Sequence, residues 1–305
     1  MQSRSALARL QQAITLSLLS CAAVWLAWRW HDSRLLAVAG FLAIALGYSL
    51  VLATEFIALK FAGRDDPAPQ PTWADVARAW LHETAAAPRV FCWRQPFRWR
   101  AIPDLLEVPP GQPAKRGVVL IHGFVCNRGF WNPWMRRLRD RGHPFVAVNL
   151  EPVFGSIDAY APIIEDAVQR VTRATGLAPV LVCHSMGGLA ARAWLRAESA
   201  QERVHHVITI ASPHHGTWIG RFSMLENGRQ MNLHSPWIHA MNEDGEDPLR
   251  YARFTCWYTN CDNIVFPAST ATLPGADNRL VPGVAHVQLG FHPRVMDESL
   301  AKLAQ

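Results

Sequence analysis

The sequence predicts an α/β fold with a mostly parallel central sheet, preceded by an apolar segment long enough for two membrane helices. From residue 117 onward, short apolar runs rich in β-branched residues alternate with helical periodicity, which is typical of parallel strands covered by helices on both faces. Polar residues follow several of these runs directly, at the edge where such sheets place their functional groups. Two uncharged apolar runs, residues 13–28 and 35–53, precede this pattern.

The composition argues against a nucleic-acid-binding protein and against a zinc-ribbon protein. The chain has 305 residues, of which 50% are hydrophobic, and a formal charge of +6. The basic residues are spread out, and the densest stretches, 94–100 and 136–141, also contain Trp, Phe or Asp, so we interpret them as solvated surface and expect no nucleic-acid partner. Six cysteines include no CxxC pair, which argues against a zinc ribbon. We expect free buried thiols, although Cys256 and Cys261 could pair.

The two apolar runs predict a transmembrane hairpin. Helices over about 13–30 and 35–59 would have about the length needed to cross a bilayer, which is roughly 20 residues. A cleaved signal peptide over residues 1–23, which would leave the second run as a lone span, is the alternative. Basic residues flank both ends of the hairpin, so the positive-inside rule favours a cytoplasmic position for both ends. Glu55 is expected near the membrane interface.

The rest of the chain divides into a linker with one helix and a larger domain. Residues 64–88 begin with a Pro-rich polar stretch and continue as a helix over 72–87 that Pro88 stops. Residues 89–108 contain strand-like stretches whose order the sequence leaves open. In the domain over 89–305 we predict strands at 117–123, 144–150, 179–184, within 204–212 and at the start of 252–267, and helices at 131–142, 158–175, 186–197 and 292–304.

The hexapeptide CHSMGG, residues 183–188, joins a predicted strand to a predicted helix. A serine in such a strand-to-helix turn is exposed as a nucleophile in the pattern Gly-x-Ser-x-Gly, where small residues permit a strained turn. Cys183 replaces the first glycine. Ser185 could equally be an N-capping serine, and the hexapeptide alone leaves both interpretations open.

Residues elsewhere in the chain favour the nucleophile. A serine hydroxyl needs a base within hydrogen-bond reach and donors for the developing oxyanion. Asp262 follows a predicted strand, and His286 lies in a predicted loop before the last helix, so the order is serine, acid, base. The turn IHGF could add the Phe124 N–H to that of Met186 as oxyanion donors. Asp277 is a rival acid, which we interpret as a loop residue.

Together these segments resemble the bacterial, triacylglycerol lipase-like branch of the α/β-hydrolase lipases and esterases, over residues 117–305. The resemblance implies that Ser185 is the nucleophile, that His286 is the general base and acid, and that Asp262 orients His286. Phe124 and Met186 would supply the backbone oxyanion donors. The resemblance requires no cofactor, and no acidic cluster in the sequence calls for a metal. The segments that carry it are VVLIHGF (118–124), VCHSMGGLAAR (182–192), VITIASPHHGT (207–217), DNIVFP (262–267) and LPGADNRLVPGVAHVQL (273–289).

The expected function is that of a membrane-anchored serine ester hydrolase acting on acyl esters or lipids, in a bacterial inner membrane with the catalytic domain on the cytoplasmic side. The alternatives are an acyltransferase that uses the same acyl-enzyme, and a non-catalytic membrane binding protein or permease. Residues 217–253 are rich in Trp, Phe and Met. They predict either a cap over an acyl site or packing within an insertion. Oligomeric state is not indicated.

Overall fold

The computed structural model of the protein describes residues 5–108, 115–243 and 250–304. Its centre is a six-stranded sheet in which every pair of neighbouring strands is parallel, in the order β2-β1-β3-β4-β5-β6. The strands are β1 Val118–Ile121, β2 Phe145–Ala147, β3 Val180–His184, β4 His206–Ile210, β5 Phe254–Tyr258 and β6 Asp277–Leu280.

Helices cover both faces of this sheet. The side chains of β1 and β3 are buried along their whole length, which explains their uninterrupted apolar sequences. Alternate strand residues contribute to two separate apolar clusters, one against each face. The helices are α1 Ala6–Arg29, α2 Arg34–Leu46, α3 Tyr48–Ala62, α4 Trp73–Pro88, α5 Gln95–Phe97, α6 Asn132–Asp140, α7 Ala161–Thr175, α8 Met186–Ala197, α9 Glu226–Gln230, α10 Pro236–Asn242, α11 His286–Leu289 and α12 Pro293–Ala301.

The predicted parallel sheet is confirmed, but its last strand was missed. The sequence predicted a loop position for Asp277, but Asp277 begins β6, where it accepts a hydrogen bond from Arg279 Nε and forms an ion pair with the same side chain. The strand reads DNRL and is half exposed at the edge of the sheet. An edge strand with polar side chains lacks the apolar run that identified the inner strands, so the pattern gave no signal for it.

The strand-like interpretation of residues 89–108 is wrong at its start. α4 ends at Pro88, but the chain continues as one π-helical segment, Arg89–Arg94, and then as α5. Of the side chains that suggest a strand here, Val90 is buried in the apolar cluster on one face of the sheet, whereas Trp93 and Phe97 are exposed, so the segment is helical with one face packed. Only Leu105 makes a strand-like contact in this region, an isolated bridge to Phe145.

The apolar N-terminal segment forms three helices that pack partly on the α/β domain. α1 has 24 residues and is long and apolar enough to cross a membrane. α2 and α3 meet that test only as a pair, and they are bent by 51° at Gly47. The predicted transmembrane hairpin therefore requires α2 and α3 to form its second membrane span together. The first turns of α1 are buried against the domain, whereas most of its later residues are exposed.

The insertion over 217–253 has an exposed part and a packed part, with residues 244–249 outside the described residues. Met231, Ile238 and Met241 belong to the main apolar core, as packing within an insertion predicts. Phe222 and Met224, by contrast, are 66% and 90% exposed. All six cysteines are free, four of them buried, so Cys256 and Cys261 do not pair.

Candidate active site

Ser185 occupies a strained turn at the carboxyl end of β3. Its φ is +54°, a left-handed conformation that is unfavourable for serine, and α8 begins at the next residue. The turn is possible because Gly187 lacks a side chain: a Cβ there would lie 2.4 Å from the Ile121 carbonyl oxygen. The Ser185 hydroxyl caps no helix N–H, so the N-cap interpretation does not describe it.

Cys183 fits the position where the pattern has glycine. It is still part of β3, pairs with Ile121 and Thr209 of the neighbouring strands, and is fully buried in the core. Burial raises the pKa of its thiol, so the group stays protonated and acts as a small apolar side chain. The replacement leaves the strained Ser185 turn in place.

Asp262 and His286 form a buried pair. His286 Nδ1 lies 2.9 Å from an Asp262 carboxylate oxygen, and both residues are at most 5% exposed. Asp262 Oδ1 also accepts from the backbone N–H groups of Ile264 and Val265, at 2.9 and 2.7 Å. These bonds fix the carboxylate, and the carboxylate in turn directs the hydrogen of His286 to Nδ1. His286 begins α11, rather than lying in a loop as predicted.

Ser185 is brought to the same edge of the sheet, next to this pair. In the described part of the chain, no hydrogen bond joins the Ser185 hydroxyl to His286. The two are linked through His184, which precedes Ser185 in the chain. Its Nε2 lies 3.3 Å from the His286 carbonyl oxygen and its ring centroid 4.8 Å from that of His286. The ring of His184 also stacks on Phe130, so this histidine packs beside the turn.

The turn after β1 carries the first predicted oxyanion donor. Gly123 lies against Ser185: a Cβ on this glycine would be 2.8 Å from the serine Cβ. Among the backbone bonds of the described residues, none uses the Phe124 N–H. Met186 is the first residue of α8, where an N–H has no partner within the helix. Each predicted donor is thus the chain neighbour of a residue at this contact, Gly123 or Ser185, and its N–H has no backbone partner among the described residues.

His122, which the sequence interpretation did not use, fixes the shape of this turn. The Leu150 N–H donates to His122 Nε2 at 3.0 Å, so the ring hydrogen is on Nδ1, which donates to the Gly123 carbonyl oxygen at 2.9 Å. Burial lowers the pKa of His122 to about 4, which keeps this neutral form at physiological pH. In the sequence, the position of His122 directly before the turn glycine could have indicated this role.

His286 differs from the two neighbouring histidines in its electrostatics. Burial lowers the pKa of His286, but the charge and hydrogen bond of Asp262 oppose it, and Glu83 and Glu55 add to that effect, so its pKa is raised overall. Burial holds the pKa of His184 well below its usual range. Of these buried imidazoles, His286 is thus the one placed to accept and release a proton near neutral pH.

Three N-terminal side chains contact residues that directly follow the predicted site residues. Gln11 of α1 donates to the Val125 carbonyl oxygen at 3.3 Å, beside Phe124. Glu55 of α3 accepts from the Asn263 amide at 2.7 Å, beside Asp262. Glu83 of α4 accepts from the backbone of residues 287 and 288, beside His286. Because these partners are more than 100 residues away in sequence, no local pattern could reveal them.

An apolar rim lies next to the oxyanion turn. The Phe124 and Phe154 rings are 6.1 Å apart, and Phe154 is 41% exposed. Asn227 of α9 donates to the Val153 carbonyl oxygen at 2.9 Å, so α9 contacts the loop that carries Phe154. The residues that precede α9 include further exposed apolar side chains, namely Phe222, Met224 and Leu225.

Comparison with known proteins gives the same fold. A family model described as Alpha/beta hydrolase family matches residues 118–297. The mature lipase BlEst2 of Bacillus licheniformis superposes with a TM-score of 0.56 at 16% identity, over 64% of this chain and 96% of that one. Lipase B of Aspergillus fumigatus gives 0.56 at 15% identity, over 65% of this chain and 55% of its own. No curated protein sequence matches the chain. The predicted α/β-hydrolase fold and the predicted resemblance to this family are confirmed, whereas the two-helix transmembrane hairpin stays a prediction.

Proposed function

The chain belongs to the alpha/beta hydrolase family, and we propose that it is a membrane-anchored serine ester hydrolase that cleaves carboxylic acyl esters. The observation that supports this best is the buried Asp262–His286 pair at the sheet edge that carries the strained Ser185 turn. We assign Ser185 as nucleophile, His286 as general base and acid, and Asp262 as the residue that orients His286.

The proposed reaction uses the imidazole nitrogen that Asp262 leaves free. With its hydrogen on Nδ1, His286 offers Nε2 as a base, which takes the Ser185 proton as the hydroxyl oxygen attacks the ester carbonyl. The N–H groups of Phe124 and Met186 stabilise the oxyanion. The imidazolium then protonates the departing alcohol, and an acyl-enzyme remains. Water, deprotonated by His286, attacks the acyl carbonyl and releases the acid and the free serine.

The serine–histidine bond is expected to form when substrate binds. Catalytic hydrogen bonds are often long in ligand-free enzymes and tighten in the substrate complex. The His184 side chain, directly before Ser185, contacts the His286 carbonyl oxygen, and this contact supports a position of the serine beside the base.

We further propose that the substrates are lipid-like acyl esters taken from the bilayer to which the protein is anchored. The exposed apolar length of α1 supports the anchor, and the apolar rim beside the oxyanion turn supports an acyl substrate. The basic residues that flank the apolar segment support a cytoplasmic position for the catalytic domain at a bacterial inner membrane.

Turnover of p-nitrophenyl esters of increasing chain length by the full chain in detergent tests this proposal. Ser185→Ala should reduce kcat/KM by at least about a thousandfold, whereas the control Ser269→Ala, outside the site, should retain it. A preference for long chains, and hydrolysis of lipid esters in vesicles, would support the lipid assignment. Equal turnover by wild type and Ser185→Ala would refute the proposed nucleophile. Transfer of the acyl group to added alcohol in place of water would indicate an acyltransferase.

A further inference from the structure

The short helix α11 begins at the proposed base but has no capping side chain of its own. The residue before His286 is Ala285, which offers no acceptor, although the N–H groups of a first helical turn have no partner within the helix. Helices usually begin with Ser, Thr, Asp or Asn, whose oxygen accepts from the second or third N–H. In α11 those two N–H groups belong to Val287 and Gln288, the residues that directly follow His286.

Glu83 supplies the missing cap from a different part of the chain. Its Oε1 accepts from the Val287 N–H at 2.8 Å and its Oε2 from the Gln288 N–H at 3.1 Å. The two oxygens of one carboxylate thus occupy the place of an N-cap oxygen. Glu83 belongs to α4, which lies outside the segment 118–297 that matches the hydrolase family.

The surroundings of Glu83 make it an unfavourable way to cap a helix. Glu83 is 1% exposed, and no Lys or Arg pairs with it in the described part of the chain. A carboxylate removed from water without a cation is unfavourable unless hydrogen bonds compensate. A neutral Ser, Thr or Asn at position 285 would cap the same turn without burying a charge. Such a neutral cap would lack a negative charge close to the imidazole.

We propose that Glu83 is a positioning residue for His286: it fixes the start of α11, and thereby the imidazole, and places a carboxylate beside the base. This inference rests on the proposed function. Glu83 does not reach the ester; it acts through the backbone of the residues that follow His286 and through its charge.

The charged and titratable groups around the base come from four elements. Asp262 faces it from the loop after β5, Glu83 from α4, Glu55 from α3 and His184 from the end of β3. Burial raises the pKa of Glu83 to about 7, while its two N–H bonds and His286 act in the opposite direction. An imidazolium formed during catalysis would favour the ionised form of Glu83, and the ionised form would favour the imidazolium.

The position of Glu83 is coupled to the apolar helices. The Tyr48 hydroxyl of α3 donates to the Thr84 carbonyl oxygen at 2.6 Å, and the Trp80 indole of α4 donates to the Ser49 carbonyl oxygen at 2.8 Å. α4 is therefore held against α3 on either side of Glu83. The N-terminal segment thus contributes to the geometry of the base as well as to anchoring.

The test is the pH dependence of ester turnover by the full chain in detergent, for wild type, Glu83→Gln and Glu83→Asp. Glu83→Gln keeps the size of the side chain but loses the charge and one acceptor. We expect kcat to fall about tenfold to a hundredfold with KM nearly unchanged, because the base is misplaced.

The acid limb of kcat/KM should move to lower pH, since the imidazolium loses a neighbouring negative charge. Glu83→Asp, which restores the charge, should return the limb toward the wild-type pH.

Glu165→Gln is the matched control. Glu165 is also a structural carboxylate, which accepts from the Trp194 indole at 2.9 Å and pairs with Arg203, but it contacts no site residue. Its loss should lower Tm without moving the pH profile. If Glu83→Gln behaves in the same way, with unchanged kcat per folded enzyme and an unchanged acid limb, Glu83 is only structural and the inference is wrong. Inactive wild-type enzyme would instead refute the proposed function on which the inference rests.

Discussion

The serine turn and the acid–base loops meet at one edge of the sheet but are held there by different means. Ser185 depends on neighbours within a few residues and on the adjoining strand: the end of β3, the start of α8 and Gly187 against Ile121. The residues that directly follow Asp262 and His286 are held by side chains from remote helices, Glu55 and Glu83. Local geometry therefore secures the nucleophile, whereas the N-terminal helices support the base.

The largest effect should come from the acid–base side, with Asp262→Asn. Asparagine can still accept from Ile264 and Val265, so the loop should fold, but its amide would favour the wrong hydrogen position on His286. We expect kcat to fall by about 10⁴-fold with little change in Tm. The control is Asp277→Asn, because Asp277 is the rival acid and lies in β6. Loss of turnover in that control, with Asp262→Asn active, would reverse the assignment.

On the serine side, Gly187→Ala should damage both stability and activity. The added Cβ would meet the Ile121 carbonyl oxygen at 2.4 Å, so the turn must shift. We expect a loss of about 1–3 kcal/mol in the free energy of unfolding and roughly a hundredfold loss of kcat from displacement of the serine. Chemical denaturation and ester turnover measure these.

Gly176→Ala provides the comparison for that variant. Gly176 has φ of +69° at the end of α7 and open space around it. Its substitution should cost about 1–2 kcal/mol and leave kcat unchanged. A fully active Gly187→Ala enzyme would show that the serine turn tolerates movement, and that close packing on Ile121 is not what positions the nucleophile.

The acid limb of the pH profile reports on the protonation of His286. The pKa of His286 is raised, and only its neutral form can accept the serine proton, so activity should fall as pH decreases through that raised value. The midpoint of kcat/KM should therefore lie above about 6.5, the ordinary pKa of histidine. A midpoint well below this value would mean that burial, rather than Asp262, controls the imidazole.

The smallest effect is expected where an N-terminal helix meets the oxyanion turn. Gln11→Leu removes the hydrogen bonds to Gln95 and Val125, which should cost about 1–2 kcal/mol of stability. His122 holds the same turn independently, so kcat should change by no more than about threefold. A tenfold or greater loss would place this turn, like the base, under the control of the N-terminal helices.

These differences also explain how much the sequence predicted. Apolar runs identified the inner strands, and the turn around Ser185 was recognisable because its requirements are local. β6 was missed because an exposed edge strand needs no apolar run, and residues 89–97 were misread because their packing, rather than their composition, makes them helical. Glu83 was missed because it lies 204 residues before Val287, whose N–H it accepts, and an isolated acidic residue in a helix suggests solvent exposure.

Covalent labelling with a fluorophosphonate tests the central claim most directly. The full chain in detergent would be treated with the probe, digested and analysed by mass spectrometry, with Ser185→Ala in parallel. A single adduct on the peptide containing Ser185 in wild type, absent from the variant, is the predicted result. Folded wild-type protein that remains unlabelled, or that carries the adduct on another residue, would contradict the assignment of Ser185 as the nucleophile.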